Sequence, residues 1–118
     1  MAAESQSAPT GDVPLEIEPV DLDRMRREGA PHAVVDVREI WELEICALPD
    51  ILHVPLADLP ARFGELPVDR PLIVVCRTGR RSLQATLWLR AQGYANSSNL
   101  RGGVHLWSDQ IDPTMRKY

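Results

Sequence analysis

Apolar residues in this chain gather into short, nearly unbroken runs, with stretches of helical periodicity between them. Ala33-Val34-Val35-Asp36-Val37 has β-branched residues at three of five positions, which predicts a strand buried on both faces. Leu72-Ile73-Val74-Val75 is the strongest strand signal and reads as central in a sheet. Ile51-Leu52-His53-Val54 is a shorter strand ended by Pro55. Tyr94 to Leu100 is polar, yet it occupies the place where a further strand is expected. Helical spacing fills the intervals. A short helix runs from Asp21, as cap, to Glu28, with Leu22 and Met25 inward and Gly29 as its stop. Residues 39 to 47 form a helical turn or two, and Ala57 to Phe63 a brief helix with Leu56, Leu59 and Phe63 as apolar contacts. Ser82 to Gln92 is a helix with Ser82 as cap and Gly93 as stop. Leu83, Leu87 and Ala91 mark its buried face, which Trp88 and Leu89 widen. Arg101-Gly102-Gly103 is a sharp turn into a helix over Val104 to Asp109, with Trp107 inward and Ile111 and Tyr118 pinning the tail.

Short apolar strands alternating with helices predict an α/β fold, a doubly wound parallel sheet flanked by helices. Residues 15–118 make up the single domain and residues 1–14, small and polar, a flexible leader. A length of 118 residues suffices for one core. The net charge of −4 argues against a nucleic-acid partner. No window of 18 apolar residues exists, and the start of the chain is not that of a secretory signal, so a cytoplasmic protein without a membrane segment is expected. A monomer is the default. Two cysteines form no disulfide framework, and Cys46, between Ile45 and Ala47, reads as core packing.

The chemistry concentrates at Cys76-Arg77-Thr78-Gly79-Arg80-Arg81-Ser82, between the central strand and a helix. A tight loop there turns backbone N–H groups toward one point and, with the helix N-terminus, forms a nest for negative charge. Gly79 suits a turn that needs positive φ or a close backbone approach. Helix termini and nearby cations favour a thiolate, so Cys76 is expected to be nucleophilic. The same nest would hold a persulfide, whose outer sulfur is also anionic. Covalent catalysis of this kind needs electrostatic stabilisation more than a dedicated base. Arg77, Arg80 and Arg81 can clamp an oxyanion, and Arg80 or Arg81 is expected to bind an anionic donor. His32, His53 and His105 make no convincing metal constellation; no metal or other cofactor is expected.

With these residues the chain resembles a rhodanese-type sulfurtransferase domain. The matching pieces are Val35 to Glu39, Ile51 to Leu56, Val74 to Ser82, and Asn99-Leu100-Arg101-Gly102-Gly103-Val104 with Trp107. The resemblance implies a persulfide on Cys76 and the backbone of Arg77 to Arg81 around the sulfur. It places Asp36 and Arg38 on the family's Asp-x-Arg element, Asp36 as loop organiser and Arg38 as ion pair or substrate contact. Asn99, Gly102 and Gly103 fall on a turn that is scaffold. The stretch Trp41 to Pro49 and the ending Ile111 to Thr114 with Tyr118 are similar to the domain fused behind ubiquitin-activating-like adenylyltransferases. That likeness implies transfer of sulfur to a ubiquitin-like sulfur carrier, with the adenylyltransferase as a separate chain, or else a chain that has left that pathway. A small anionic donor such as thiosulfate, or the persulfide of a cysteine desulfurase, would supply the sulfur. Where rhodanese relatives often read Gly-His-Ile-x-Gly-Ala, this chain has Ala47 to His53, which leaves His53 as a framework residue.

Other functions fit parts of the pattern. A cysteine phosphatase or arsenate reductase carries Cys-x5-Arg, but here Arg81 follows after four residues and Ser82 stands in the fifth interval's place. A non-catalytic binding module would keep the fold and lose the chemistry. Redox signalling would use Cys46 and Cys76, which form no Cys-x-x-Cys pair.

Overall fold

The computed structural model describes residues 13–118. Five parallel strands form one sheet: β1 (Glu16–Ile17), β2 (Ala33–Asp36), β3 (Ile51–His53), β4 (Leu72–Val75) and β5 (Ser97–Leu100). Their order is β1-β5-β4-β2-β3. Among the described residues five α-helices accompany them: α1 (Pro19–Glu28), α2 (Ile40–Ile45), α3 (Leu59–Arg62), α4 (Arg80–Ala91) and α5 (Gly103–Gln110). Single 3-10 turns, Leu56–Asp58 and Phe63–Glu65, flank α3, where the sequence predicts one brief helix.

The alternation of side chains along a strand explains the unbroken apolar runs. Val35, Leu72 and Val74 face one layer, with Leu59, Ala85, Leu89 and Tyr94. Val34, Ile73 and Val75 face the other, with Leu22, Leu100, Val104 and Trp107. Helices cover both faces, which is the doubly wound architecture expected.

Several elements differ from the sequence expectation. α1 begins at Pro19; Glu18 is its N-cap, and Asp21 closes a capping box with it instead of being the cap itself. α4 begins at Arg80 with Gly79 as N-cap, so Ser82 lies in its first turn. The buried face of α4 is Ser82, Ala85, Thr86 and Leu89, while Leu87 is 51% exposed. The Leu83-Leu87-Ala91 stripe lost to its neighbour: Ser82 Oγ donates to Asn99 Oδ1 on β5, Thr86 Oγ1 donates to Ser82 O within the helix, and Ala85 and Leu89 pack into the core. β5 reads as polar because hydrogen bonds fill the places that apolar contacts occupy elsewhere. Ser97 Oγ donates to Tyr94 O at 2.8 Å, and Ser98 Oγ to Pro14 O at 2.5 Å. The expected leader lies outside the described residues up to position 12. Its last two residues are tied down: besides the Pro14 bond, Val13 O accepts from Arg90 Nη2 at 2.8 Å.

The corrected helix face is directly testable. Leu89→Ala is expected to cost about 2–5 kcal/mol, as buried leucine truncations do. Leu87→Ala should stay within about 0.5 kcal/mol of the parent. Urea denaturation of both variants measures the difference, and similar losses would contradict the observed face.

Candidate active site

β4 ends at Val75, so Cys76 stands at the carboxyl edge of a central parallel strand, where such sheets gather ligands. The chain then turns through Arg77, Thr78 and Gly79 into α4. Two bonds set the turn. The carbonyl of Cys76 accepts from Val104 N–H at 2.9 Å, and that of Arg77 from His105 N–H at 3.0 Å. Both donors lie in the first turn of α5, whose amides have no intrahelical acceptor. The close approach depends on Gly103: its φ is +59°, and a β-carbon there would lie 2.5 Å from Arg77 O and closer still to Cys76 O. Gly79, with φ +95°, allows the sharp entry into α4; a β-carbon on it would lie 3.0 Å from Gly102 N.

The sulfur receives three donors. Gly79 N–H lies 3.1 Å from Cys76 Sγ, Ser82 N–H 3.3 Å and Ser82 Oγ 3.2 Å. Cys76 is only 1% exposed, so the sulfur lies beneath the loop with its donors aimed at it. Ser82 thus serves the sulfur instead of capping the helix. Its single hydroxyl proton has a second acceptor, Asn99 Oδ1 at 2.5 Å. The Asn99 amide is oriented by its nitrogen, which donates to Glu16 Oε2 at 2.7 Å and to Gly79 O at 3.2 Å. Asn99, read from sequence as scaffold, therefore touches both the loop and the hydroxyl that serves the sulfur.

The arginines occupy different environments. Arg38 is fully buried and paired with Asp36, also fully buried, Nη2 to Oδ2 at 2.8 Å. Asp36 Oδ1 also accepts from Arg38 N–H at 3.0 Å. Burial opposes the Arg38 charge, but the hydrogen bonds to Asp36 and Tyr118 outweigh it and push its pKa above the ordinary value. Arg81 makes a two-bond fork to Glu42, at 2.7 and 2.8 Å. Those bonds are the largest influence on Glu42 and hold its carboxyl down at about 2, against the opposing effect of burial. Tyr118 joins the two pairs. Its hydroxyl accepts from Arg38 Nη1 at 2.9 Å and donates to Glu42 Oε1 at 2.7 Å. The Arg77 guanidinium lies over the Tyr118 ring, 4.8 Å from the centroid. Arg80 and Thr78 are exposed on the loop, and Arg80 enters no ion pair among the described residues.

Glu42 and Tyr118 were not singled out as site residues by the sequence. The one local signal was the spacing of Glu39 and Glu42, which form a capping box at the start of α2. His53 Nε2 donates to Arg38 O at 2.7 Å, a framework role. Among the described residues no group of three His, Cys, Asp or Glu converges as metal donors. Cys46 and Cys76 are both free thiols, packed against opposite faces of the sheet.

Two predictions follow from this geometry. Gly103→Ala is expected to destabilise the fold by at least about 2 kcal/mol, combining positive-φ strain with a clash against the loop carbonyls. It should also slow alkylation of Cys76; denaturant melts and alkylation rates measure the two effects. Glu42 titrates near 2 in the fold and at 4.5 ordinarily. Its pairing therefore contributes in full above about pH 4.5 and is lost as the pH falls toward 2. Because Arg81 is 37% exposed, screening reduces the contribution to about 2 kcal/mol. Stability measured across that window should fall less steeply in Glu42→Gln than in the parent.

The chain has relatives among known proteins. A sulfurtransferase of Allochromatium vinosum is 37% identical over 93 residues, covering 79% of this chain and 87% of that protein. The adenylyltransferase and sulfurtransferase MOCS3 of Drosophila ananassae is 34% identical over 121 residues, covering 91% of this chain; the match spans only 27% of that protein. Among solved structures, the human single-domain sulfurtransferase TSTD1 superposes with a TM-score of 0.73 at 25% identity, covering 83% of this chain and 98% of that one. The rhodanese-like domain family matches residues 18–110. With its central strand delivering a cysteine into an amide-lined loop, the chain belongs to the rhodanese-like domain family.

Proposed function

We propose that this protein is a sulfurtransferase that carries a persulfide on Cys76. The observation that supports it most directly is the set of three donors, Gly79 N–H, Ser82 N–H and Ser82 Oγ–H, within 3.3 Å of Cys76 Sγ. In the first half-reaction the Cys76 thiolate attacks the outer sulfur of thiosulfate. A Cys76–sulfur bond forms, the sulfur–sulfur bond of the donor breaks, and sulfite leaves with the electron pair. In the second, an acceptor such as cyanide or a thiol attacks the outer sulfur of the persulfide. The bond to Sγ breaks and Cys76 departs as the thiolate. The two amides, and the Ser82 hydroxyl when its proton turns from Asn99 to the sulfur, stabilise that leaving group, which is where negative charge returns to Sγ. An added sulfur also extends the reactive atom by about 2 Å from a cysteine that is itself buried.

Within this reading Arg80 is the arginine best placed to meet an anionic donor. It is exposed and unpaired among the described residues, whereas Arg81 is held by Glu42 and Arg77 lies over Tyr118. Arg38 and Asp36 are sealed from solvent, so their part is to organise the loop's surroundings. The loop from Arg77 to Ser82 forms the anion seat, with Thr78 at its exposed crest. Likeness to the MOCS3 proteins supports a small sulfur-carrier protein as acceptor, activated by a separate adenylyltransferase, and a cysteine desulfurase as an alternative donor. Burial of Cys76 favours one competing reading, a binding module that no longer transfers sulfur.

Incubation with thiosulfate followed by intact mass measurement separates them. The transfer reading expects one added sulfur, located on Cys76 and removed by cyanide. Cys76→Ser should fold normally and gain nothing. Arg80→Ala is expected to raise the KM for thiosulfate several-fold, in line with loss of one charge-assisted contact. No adduct with any donor would favour the binding module.

A further inference from the structure

Tyr118 contacts one loop arginine directly and the carboxylate that holds a second. Its ring lies beneath Arg77, with the guanidinium carbon 4.8 Å from the centroid. Arg77 Nε is buried and has no hydrogen-bond partner. The ring face, not a bond to Nε, is therefore what holds that guanidinium in place. Its hydroxyl works on the other side of the loop. Glu42 Oε1 accepts from both Tyr118 Oη and Arg81 Nη2, each at 2.7 Å, and Oε2 accepts from Arg81 Nη1 at 2.8 Å and from Glu39 N–H at 2.9 Å. The hydroxyl can donate only toward Glu42, because Arg38 Nη1 on its other side has no lone pair to offer. A continuous chain of bonds therefore runs from the buried Asp36 through Arg38, Tyr118 and Glu42 to Arg81 on the loop. Trp41 stands edge-on to the Tyr118 ring, with centroids 6.2 Å apart. Arg81 lies in the first turn of α4, between Gly79 and Ser82, whose amides both contact Cys76 Sγ.

We propose that Tyr118 is a positioning residue that fixes Arg77 through its ring and Arg81 through Glu42, and so sets the positive field into which an anionic sulfur donor docks. The identity of that donor rests on the sulfur-transfer reading; the positioning of the two arginines does not. An ordinary packing role would tie Tyr118 to stability alone. A positioning role ties it to discrimination between charged and uncharged reagents at the sulfur.

The test compares alkylation of Cys76 by iodoacetate and by iodoacetamide, with the peptide carrying Cys76 followed by mass spectrometry. The ratio of the two rates cancels the thiolate fraction and the loop access that both reagents share, and reports the local positive field. Tyr118→Leu is expected to lower the ratio about threefold, the scale of losing an aromatic contact to a guanidinium. It should raise the KM for thiosulfate by a similar factor, with kcat changed less. Tyr118→Phe keeps the ring and loses the hydroxyl, so its ratio should fall between that of the parent and that of the leucine variant. An unchanged ratio in Tyr118→Leu that is folded by circular dichroism overturns the proposal. Should the leucine variant not fold, Tyr118→Phe decides alone: a lowered ratio supports the role, and an unchanged one overturns it. A lowered ratio together with no persulfide from any donor would sink the sulfur-transfer reading and leave the positioning role standing.

Discussion

The first amides of α5 hold the carbonyl oxygens of Cys76 and Arg77, and the loop around the sulfur takes its orientation from those two bonds. With those two carbonyls held, the chain turns at Gly79 into α4, and the amides of Gly79 and Ser82 face the sulfur. The arrangement needs α5 to approach the loop more closely than a side chain at Gly103 would permit. Gly102 and Gly103, the N-cap and first residue of α5, are therefore part of what shapes the loop, although neither has a side chain to contact the sulfur.

Charge is handled in layers. A chain with net charge −4 must concentrate positive potential locally if an anion is to approach it. Helix N-termini and amides supply the innermost share, since they carry no counter-charge that could cancel them. The arginines are then sorted by partner: Arg38 is neutralised by Asp36, Arg81 is steered by Glu42, and Arg80 faces solvent. A buried pair such as Asp36–Arg38 is a poor source of net stability, because desolvation offsets most of its attraction. Its value here lies in geometry. It anchors Tyr118 and Cys46 O, at 2.9 Å each, at fixed places beside the loop.

β5 shows how the same logic reaches the sheet. Its side chains Ser97, Ser98 and Asn99 are all buried, yet each polar group has a partner. Asn99 is the most consequential of them. It lies one strand away from β4, paired with Val74, and reaches across to Ser82 and Gly79. A polar strand next to the central apolar one thus serves the loop at the expense of apolar burial.

Local pattern was enough to identify the strands at Val34–Val35 and Leu72–Val75, because a run buried on both faces has no polar alternation to obscure it. It was also enough to place Cys76 and its loop between the central strand and a helix, since strand, cysteine, glycine and helix follow one another along the chain. What the sequence could not decide was every feature that depends on a partner distant in sequence. The buried face of α4 was misread because a leucine stripe and a Ser-Ala-Thr-Leu stripe share one periodicity, and only the sheet beneath determines which is covered. Glu42 and Tyr118 are 76 residues apart and Arg81 and Glu42 are 39 apart, so no local spacing could join them. Composition and periodicity report on the turn or the face to which a residue belongs. Which guanidinium is paired, which is stacked and which is left to solvent is decided only when the folded chain brings those carboxylates and that ring together.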